Sequence, residues 1–553
     1  MKRLITGNEA VALGALEAGV EFATGYPGTP ATEIIESLSG KEGPYVEWSS
    51  NEKTALEMAS GVSFSGRRSL VVMKHVGLNV ALDPLMTLAY TGVRGGLVIA
   101  VSDDPGMQSS QNEQDSRLIA SMAKIPLLEP SDSQEALSFT KEAFRISERF
   151  DIPVIVRLTQ AVSHSESLVK MISKINTHSH TIKREPEKYV MLPPFCNRRR
   201  LDLEKRLLRL KRFSERFRFN KIETLSKKTG IITSGISYQY VKDAVPEASV
   251  LKLSLTYPLP SALIKRFSRS VKRLFVVEEL EPFIEDSVRA EGIDVIGKRD
   301  GLPTYGELSV PIIRDFIRHR RVDSKSPIYG NGSFCTGCPY IGVFYVLKGL
   351  GVYVFGDIGC YTLGARVFPG SIDTTLCMGA GISQAAGFSK LNPDLKVVAL
   401  IGDSTFYHSG LSAVVNARHH GSNLTIILFE NSVTAMTGGQ PHAGGRLDTK
   451  NVLTALGVEK IIELNPYDIK NIENSLREAI SLDTLSAVIV RGRCVVKKEP
   501  SPLSIDRELC NLCLRCLALR CPSIKEEGGI PSIGRRCIGC MLCASVCPTG
   551  AIR

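Results

Sequence analysis

The sequence predicts an α/β protein of several doubly wound domains with a small cysteine-rich domain at its C-terminus. Three observations predict it. Short apolar runs alternate with helical stretches through most of the 553 residues, which is the pattern of βαβ units. One stretch, Lys396 to Met436, reads as a complete strand, helix, strand unit with polar residues at both strand ends. Eight of the 14 cysteines lie within the last 44 residues, in two similarly spaced groups.

A chain of this length is expected to hold three to five domains and to bury several cores. Hydrophobic residues make up 43% and charged residues 23%, which excludes a disordered or fibrous chain. No apolar run approaches the roughly 18 residues of a membrane-spanning helix. Met1-Lys2-Arg3-Leu4 leads into amphipathic sequence and not into a signal peptide. A cytoplasmic protein with no membrane partner is expected. The close cysteine spacing favours metal or cluster ligation over disulfides. The formal charge is +11, and eight thiolates around two 4Fe-4S clusters would lower it to about +7. Much of the basic excess lies between Cys196 and Lys228, so no nucleic-acid partner is expected.

Residues 1–165 form the first expected domain. Asn8 is the expected cap of a helix ending at Gly19, and Val20 to Thr24 the strand after it. The stiff turn Gly25-Tyr26-Pro27-Gly28-Thr29-Pro30 leads into a helix around Glu33 to Leu38. Further strands are expected at Tyr45 to Trp48, Ser69 to Met73, Leu97 to Val101 and Pro153 to Leu158. Their carboxyl ends carry Tyr26 to Thr29, Asn51-Glu52-Lys53, Lys74-His75 and Asp103-Asp104-Pro105, the loops where an open α/β sheet binds its ligand. Each loop taken singly reads more simply as a solvated connection; the set points to a ligand.

The runs TGYPGTPATEII, YVEWSSNEKTALE, MKHVGLNVALDPLM, AYTGVRGGLVI, DDPGMQSSQNEQDSR and EPSDSQEAL resemble the pyrimidine-binding domain of the indolepyruvate ferredoxin oxidoreductase α subunit. That family is a branch of the thiamine diphosphate-dependent 2-oxoacid:ferredoxin oxidoreductases. The cofactor works by losing the C2 proton of its thiazolium to its own 4'-imino group, a tautomer favoured when a carboxylate hydrogen-bonds the pyrimidine N1'. The resemblance implies a glutamate for that task, and Glu52 is the candidate. A glutamate that merely steadies a helix N-terminus, worth about 0.3–1 kcal/mol, is the alternative. Thr29 and His75 resemble substrate-side residues that hydrogen-bond the carboxylate or carbonyl of the oxoacid.

Residues 166–228 are expected to be a basic helical linker, with Leu203, Leu207, Leu210, Phe213 and Phe217 at helical spacing and basic residues opposite. From 229 to 325 the α/β pattern resumes. Strands are expected at Ile231 to Ser234, Ser249 to Leu253 and Leu274 to Val277, and the run TYPLP reads as a turn. This part resembles a transketolase C-terminal domain, whose expected work is structural.

Residues 326–497 form the domain around Lys396 to Met436. Val397 to Ile401 reads as a buried strand that ends at Gly402-Asp403-Ser404. A helix from about Ser409 to His420 follows, and Leu424 to Phe429 is the next strand, ending at Glu430-Asn431-Ser432. A right-handed crossover brings Asp403 and Asn431 to the carboxyl ends of neighbouring parallel strands. Hard oxygen ligands suit magnesium, which completes its shell from water and substrate phosphates. The spacing resembles the magnesium and diphosphate motif of thiamine diphosphate enzymes. An ordinary βαβ unit whose polar residues only turn the chain is the alternative. Gly379 precedes a helix of small residues and allows close approach to a diphosphate.

The resemblance extends through this domain. The runs around Cys335, Cys338, Asp357 and Cys360 line the cofactor site in the family, so these residues are expected in the pocket. Three cysteines with no fourth close in sequence do not make a zinc site. Gly402, Ser404 and Thr434 complete the expected cofactor contacts, the last on a loop that runs to His442. Tyr340 is a departure, since the family usually has His there. A His could bind substrate or shuttle a proton, so the change bears on substrate range.

Residues 503–553 carry Cys510, Cys513 and Cys516 followed by Cys521-Pro522, then Cys537, Cys540 and Cys543 followed by Cys547-Pro548. This is the spacing of a bacterial two-cluster ferredoxin, in which the fourth cysteine of each run serves the other cluster. One 4Fe-4S cluster is thus expected on Cys510, Cys513, Cys516 and Cys547, the other on Cys521, Cys537, Cys540 and Cys543. A zinc ribbon is the structural alternative. The first run has one residue more than usual before Cys521.

Together the resemblance implies oxidative decarboxylation of aryl 2-oxoacids such as indole-3-pyruvate to acyl-CoA. Coenzyme A is a substrate, ferredoxin the electron acceptor, and the cofactors are thiamine diphosphate, Mg2+ and two 4Fe-4S clusters. A smaller β subunit and an (αβ)2 assembly are implied as well. A non-oxidative thiamine diphosphate-dependent 2-oxoacid decarboxylase, an oxidoreductase for a different 2-oxoacid, and an electron-transfer subunit with an idle cofactor domain are the alternatives.

Overall fold

The computed structural model describes residues 2–170, 182–320, 322 and 332–553. They belong to two compact units, Met1–Tyr329 and Gly330–Arg553. The expected boundary between residues 325 and 326 lies outside the described residues, as does the 171–181 part of the expected linker.

The first unit is built on a seven-stranded sheet in the order Leu255–Tyr257, Leu127–Leu128, Val154–Thr159, Leu97–Asp103, Ser69–Lys74, Phe22–Gly25, Tyr45–Trp48. All neighbours are parallel except Leu255–Tyr257 against Leu127–Leu128. Ser69–Lys74, Leu97–Asp103 and Val154–Thr159 are buried along their whole length, as parallel strands covered on both faces must be, and hence read as unbroken apolar runs. A second, four-stranded sheet runs Arg273–Val277, Thr229–Ser234, Ser249–Leu253, Lys221–Glu223.

Three local expectations are corrected. The first helix, Gly7–Glu17, is capped by Thr6 in a capping box with Glu9, not by Asn8. Asn8 is buried and its amide donates to the Pro30 carbonyl at 2.7 Å and to Glu33 at 2.9 Å. The run TYPLP is not only a turn: Leu255–Tyr257 is the edge strand of the first sheet, lent to it by the stretch read as a separate domain. The start of the expected linker, Glu166–Lys170, is a strand antiparallel to Lys2–Thr6.

The helix expected in the linker is Phe195–Ser214, and it packs into the first core through Leu203 and Leu210, with Phe217 just beyond its end. Its basic face is partly spoken for. Arg199 and Arg206 donate to the Tyr90 and Thr91 carbonyls at the end of helix Leu82–Thr91, and Arg206 is only 2% exposed. Cations there offset the negative end of that helix.

The second unit holds a wholly parallel five-stranded sheet in the order Tyr353–Phe355, Val397–Gly402, Thr425–Glu430, Ser486–Arg491, Lys460–Leu464. Gly402 lies beside Phe429, so the next residues of both strands leave the sheet side by side. The helix expected from about Ser409 starts earlier, at Asp403. Asp403–Thr405, a π-helical turn Phe406–Gly410 and Leu411–His419 follow one another without a break. Such π turns gather at functional sites. The cysteine-rich tail carries a hairpin, Ile524–Glu527 with Ile530–Ile533. Cys516, Leu519, Leu542 and Cys543 share one core with Tyr340, Phe344 and Phe429.

Candidate functional site

In the first unit the strand order reverses at Phe22–Gly25, which has Tyr45–Trp48 on one side and Ser69–Lys74 on the other. Ligands bind open α/β sheets at such switch points. The Gly25–Pro30 turn and Lys74-His75 both leave from it. Glu52 opens helix Glu52–Phe64, whose cap Asn51 accepts from the Thr54 amide at 2.8 Å. Glu52 is 4% exposed, and its carboxylate lies against Gly77, where a Cβ would come within 2.4 Å of Oε1. No larger residue leaves that carboxylate in place.

His75 is fully buried. Its Nε2 stands 3.1 Å from the Asn112 carbonyl oxygen, which can only accept, so Nε2 carries the proton and Nδ1 the lone pair. Nδ1 has no partner among the described residues, and burial holds the ring's pKa below its usual value. Thr29 is half-buried, and its carbonyl accepts from the Ser109 hydroxyl at 3.2 Å. Thr29, Glu52 and His75 thus stand at one end of the sheet on three elements. Lys74, which sequence reasoning put on one of the ligand-facing loops without giving it a role, stands with them. Its stem runs 3.0 Å from where a Cβ of Gly28 would be, and burial pushes its amine down to about 8 against the opposing pull of Asp104 and Glu52. A cation ending the otherwise apolar run SLVVMK was the available signal.

In the second unit Asp357, Asp403 and Asn431 follow three adjacent parallel strands. Asp403 is 2% exposed. Its Oδ1 accepts from the Ser404 amide at 2.8 Å, and its Oδ2 from the amides of Asn431 at 2.9 Å and Ser432 at 2.7 Å. Among the described residues no Lys or Arg pairs with it; the nearest basic group is His442, whose Nε2 is 3.2 Å from Oδ2. His442 Nδ1 accepts from the Gly444 amide, so Nε2 bears the proton, but it is too poorly aligned on Asp403 to count as a hydrogen bond. A buried carboxylate held by neutral amides and facing no fixed cation suits a divalent ion. His442 is a neighbour that sequence reasoning left on a loop.

Asn431 Oδ1 accepts from the Val433 amide at 2.9 Å, and its Nδ2 donates to the Tyr340 hydroxyl at 2.5 Å. Tyr340 is 3% exposed and its ring lies 4.5 Å from that of Phe429. The residue that departs from the expected His therefore sits beneath Asn431 and orients it. Asp357 accepts from Ile358 at 2.7 Å, Gly379 at 2.9 Å and Gly381 at 3.0 Å, and burial pushes its carboxyl up to about 6. The Gly379 amide is thus committed to Asp357. Its role is space: φ is +82° and a Cβ would meet Ser409 at 2.5 Å. Ser404 and Thr434 join through their hydroxyls at 3.0 Å, and Gly402 faces the Tyr361 ring.

The cysteines line three cavities. One is bordered by Cys335, Cys338, Cys360 and Cys494 together with Tyr340 and Asn431. The fourth thiol missing from the sequence reading is Cys494, which follows Ser486–Arg491, the neighbour of the strand that ends before Asn431. A second is bordered by Cys521, Cys537, Cys540 and Cys543. A third is bordered by Cys510, Cys513, Cys516 and Cys547. No three His, Cys, Asp or Glu side chains among the described residues close up as a single ion would require; the thiols stand apart around space. Burial raises the Cys360 thiol to about 11 and the Cys543 thiol to about 12. Such thiols lose their protons on binding metal.

The segment Cys335–Cys338 is the wall between the first two cavities. Cys335 and Cys338 face one, Thr336 and Gly337 the other. Gly337 has φ +68°, and a Cβ there would lie 2.5 Å from the Ile538 side chain and 3.5 Å from Cys540 Sγ. The Tyr467 hydroxyl donates to the Gly337 carbonyl at 3.3 Å.

Family models match as follows: pyruvate flavodoxin/ferredoxin oxidoreductase, thiamine diphosphate-binding, over residues 13–228; thiamine pyrophosphate enzyme, C-terminal TPP-binding domain, over 357–490; and 4Fe-4S binding domain over 535–553. The chain is similar to the indolepyruvate oxidoreductase subunit IorA of Methanothermobacter thermautotrophicus, with 37% identity across 100% of this chain and 97% of the relative. The IorA subunit of Pyrococcus horikoshii is 35% identical across 100% of this chain and 96% of its own length. The 2-oxoglutarate synthase subunit KorA of Archaeoglobus fulgidus is 25% identical over 50% of this chain and 87% of its own length.

Proposed function

The chain belongs to the family of indolepyruvate oxidoreductase IorA subunits, a thiamine diphosphate-dependent 2-oxoacid:ferredoxin oxidoreductase, and we propose that its substrates are indole-3-pyruvate and related aryl pyruvates. The reaction converts a 2-oxoacid and coenzyme A to carbon dioxide and an acyl-CoA, with one proton released and two electrons passed to ferredoxin. A smaller β subunit in an (αβ)2 assembly completes the enzyme.

The observation that carries this reading is the arrangement of thiols. Asn431 borders the same cavity as Cys335, Cys338, Cys360 and Cys494, and the wall of that cavity borders the next. A site meant only to decarboxylate has no use for a line of four-thiol cavities leading away from it. The two tail cavities fit 4Fe-4S clusters on the eight expected cysteines, and the cavity beside Asn431 fits a third.

Thiamine diphosphate, when bound, supplies the nucleophilic carbon that adds to the 2-oxo group and releases carbon dioxide. Glu52 is proposed to hold the proton on the pyrimidine N1'. Asp403 and Asn431 are the proposed ligands of the Mg2+ that carries the diphosphate, with Tyr340 fixing the Asn431 amide. Asp357 holds the Gly379–Gly381 turn in shape by accepting its amides. Ser404, Thr434 and Gly402 border the diphosphate, and Thr29 and His75 the oxoacid.

The test is an anaerobic assay of the chain with its β subunit, given indole-3-pyruvate, coenzyme A and a viologen dye. Dye reduction that needs both substrates is expected. Carbon dioxide release without reduction would replace the proposal with a non-oxidative decarboxylase. Reducible clusters without any turnover would leave an electron-transfer subunit.

A further inference from the structure

We propose that Lys74 is the cation that receives the carboxylate of the 2-oxoacid, and so makes the site select oxoacids over neutral carbonyl compounds. The inference rests on the reading of the chain as a 2-oxoacid oxidoreductase and adds to it the group that recognises the acid.

Three observations carry it. The first is place: Lys74 ends the strand Ser69–Lys74 at the switch point of the first sheet, beside the turn that bears Thr29. The second is burial without satisfaction. Lys74 is 9% exposed, and its Nζ donates one hydrogen bond, to the Ser109 carbonyl at 2.9 Å. An ammonium has three protons, so two remain unused by the described residues. Leaving buried donors of a charged group unpaired is costly, and a ligand that takes them is correspondingly rewarded. The third is the state of the neighbouring carboxylate. Asp104 already accepts from the Gln108 and Ser109 amides and from the Ser109 and Ser110 hydroxyls, so its lone pairs are committed to shaping the loop.

The attraction for an anion at that point comes from Lys74 itself, and the groups around it set its charge. His75, next in the chain, is held neutral by burial and supplies no competing cation. Glu52 and Asp104 are the carboxylates whose fields reach the amine, and they help it keep its proton. With Nζ poised at about 8, a bound carboxylate would raise that value, and loss of the proton would weaken the acid's hold. A lysine is well suited to such a point contact, since one compact charge can meet a carboxylate without a flat bidentate surface.

The experiment uses the enzyme with its β subunit and the variants Lys74→Met and Lys74→Arg. Binding of indole-3-lactate, the 2-hydroxy analogue that cannot be decarboxylated by this route, is followed by calorimetry, with thiamine diphosphate affinity measured separately. In Lys74→Met the expected result is at least a tenfold loss of indole-3-lactate affinity and a similar rise in KM for indole-3-pyruvate. Thiamine diphosphate binding should stay within about twofold, and Lys74→Arg should fall between. In the parent, KM for the oxoacid should rise as pH passes through about 8, and that rise should be absent from Lys74→Met. Unchanged indole-3-lactate affinity in Lys74→Met overturns the assignment, as does a loss confined to thiamine diphosphate. If Lys74→Met does not assemble, Lys74→Arg with unaltered affinity and unaltered KM overturns it equally. A parent enzyme that oxidises no 2-oxoacid fails the underlying reading, which these variants do not touch.

Discussion

The tasks proposed for Glu52 and Asp403 are separable. Glu52→Gln keeps the size of the side chain and one acceptor oxygen but cannot carry a proton between two states. Its expected outcome is activity lower by about 10²-fold or more, with thiamine diphosphate affinity close to that of the parent by calorimetry. Asp403→Ala is expected to weaken thiamine diphosphate and Mg2+ together, and equal affinities would place the metal elsewhere. Tyr340→Phe strands the buried amide of Asn431, at a cost of about 1–3 kcal/mol. Lower Mg2+ affinity with an unaltered order of preference among 2-oxoacids is expected; an altered order would show that Tyr340 faces substrate.

At this scale the residues that ended apolar runs were legible. Asp403 and Asn431 follow two such runs, and the chain geometry left them little choice of place. Cys494 was not legible, because its partners Cys335, Cys338 and Cys360 lie far back in the chain and only the sheet order brings its strand beside that of Asn431. Tyr340 read as a substrate residue because of the His it replaces, and its hydrogen bond to Asn431 has no signature in sequence.

Among the elements, the buried parallel strands were read nearly to the residue, since nothing but apolar side chains fits between two covered faces. The strands that were missed carry no such constraint. Lys2–Thr6 and Glu166–Lys170 expose Leu4 and Leu168 opposite one another, and Leu255–Tyr257 has only three residues, hard against a proline. The wall segment Cys335–Cys338 makes a sharper demand. Gly337→Val places carbon at a positive φ and against Ile538 and Cys540; the expected outcome is a shifted reduction potential, by redox titration, for the cluster on Cys521, Cys537, Cys540 and Cys543. An unshifted potential would mean the wall yields freely.

Glu279 supplies a pH test in the first unit. It is buried, Oε2 has no partner among the described residues, and burial pushes the carboxyl up to about 7. A carboxyl raised in the folded state adds stability that is fully present below its unfolded value near 4.5 and is lost as pH rises through about 7. Glu279→Gln is therefore expected to raise Tm at pH 8 and to leave it nearly unaltered at pH 5. Equal gains at both would assign the effect to packing.

For the whole molecule, the proposed acid–base and oxoacid residues belong to Met1–Tyr329, and the proposed oxygen ligands and thiols to Gly330–Arg553. The three four-thiol cavities set the expected metal content at about 12 irons per chain. Cys494→Ser should disturb only the cluster beside Asn431, seen as loss of one set of low-temperature EPR signals. The whole account turns on whether electrons taken from an oxoacid enter this chain. Anaerobic enzyme with its β subunit, mixed with indole-3-pyruvate and coenzyme A and frozen for EPR, is expected to show the signals of reduced 4Fe-4S clusters without any added reductant. Release of carbon dioxide while the clusters stay oxidised would contradict it.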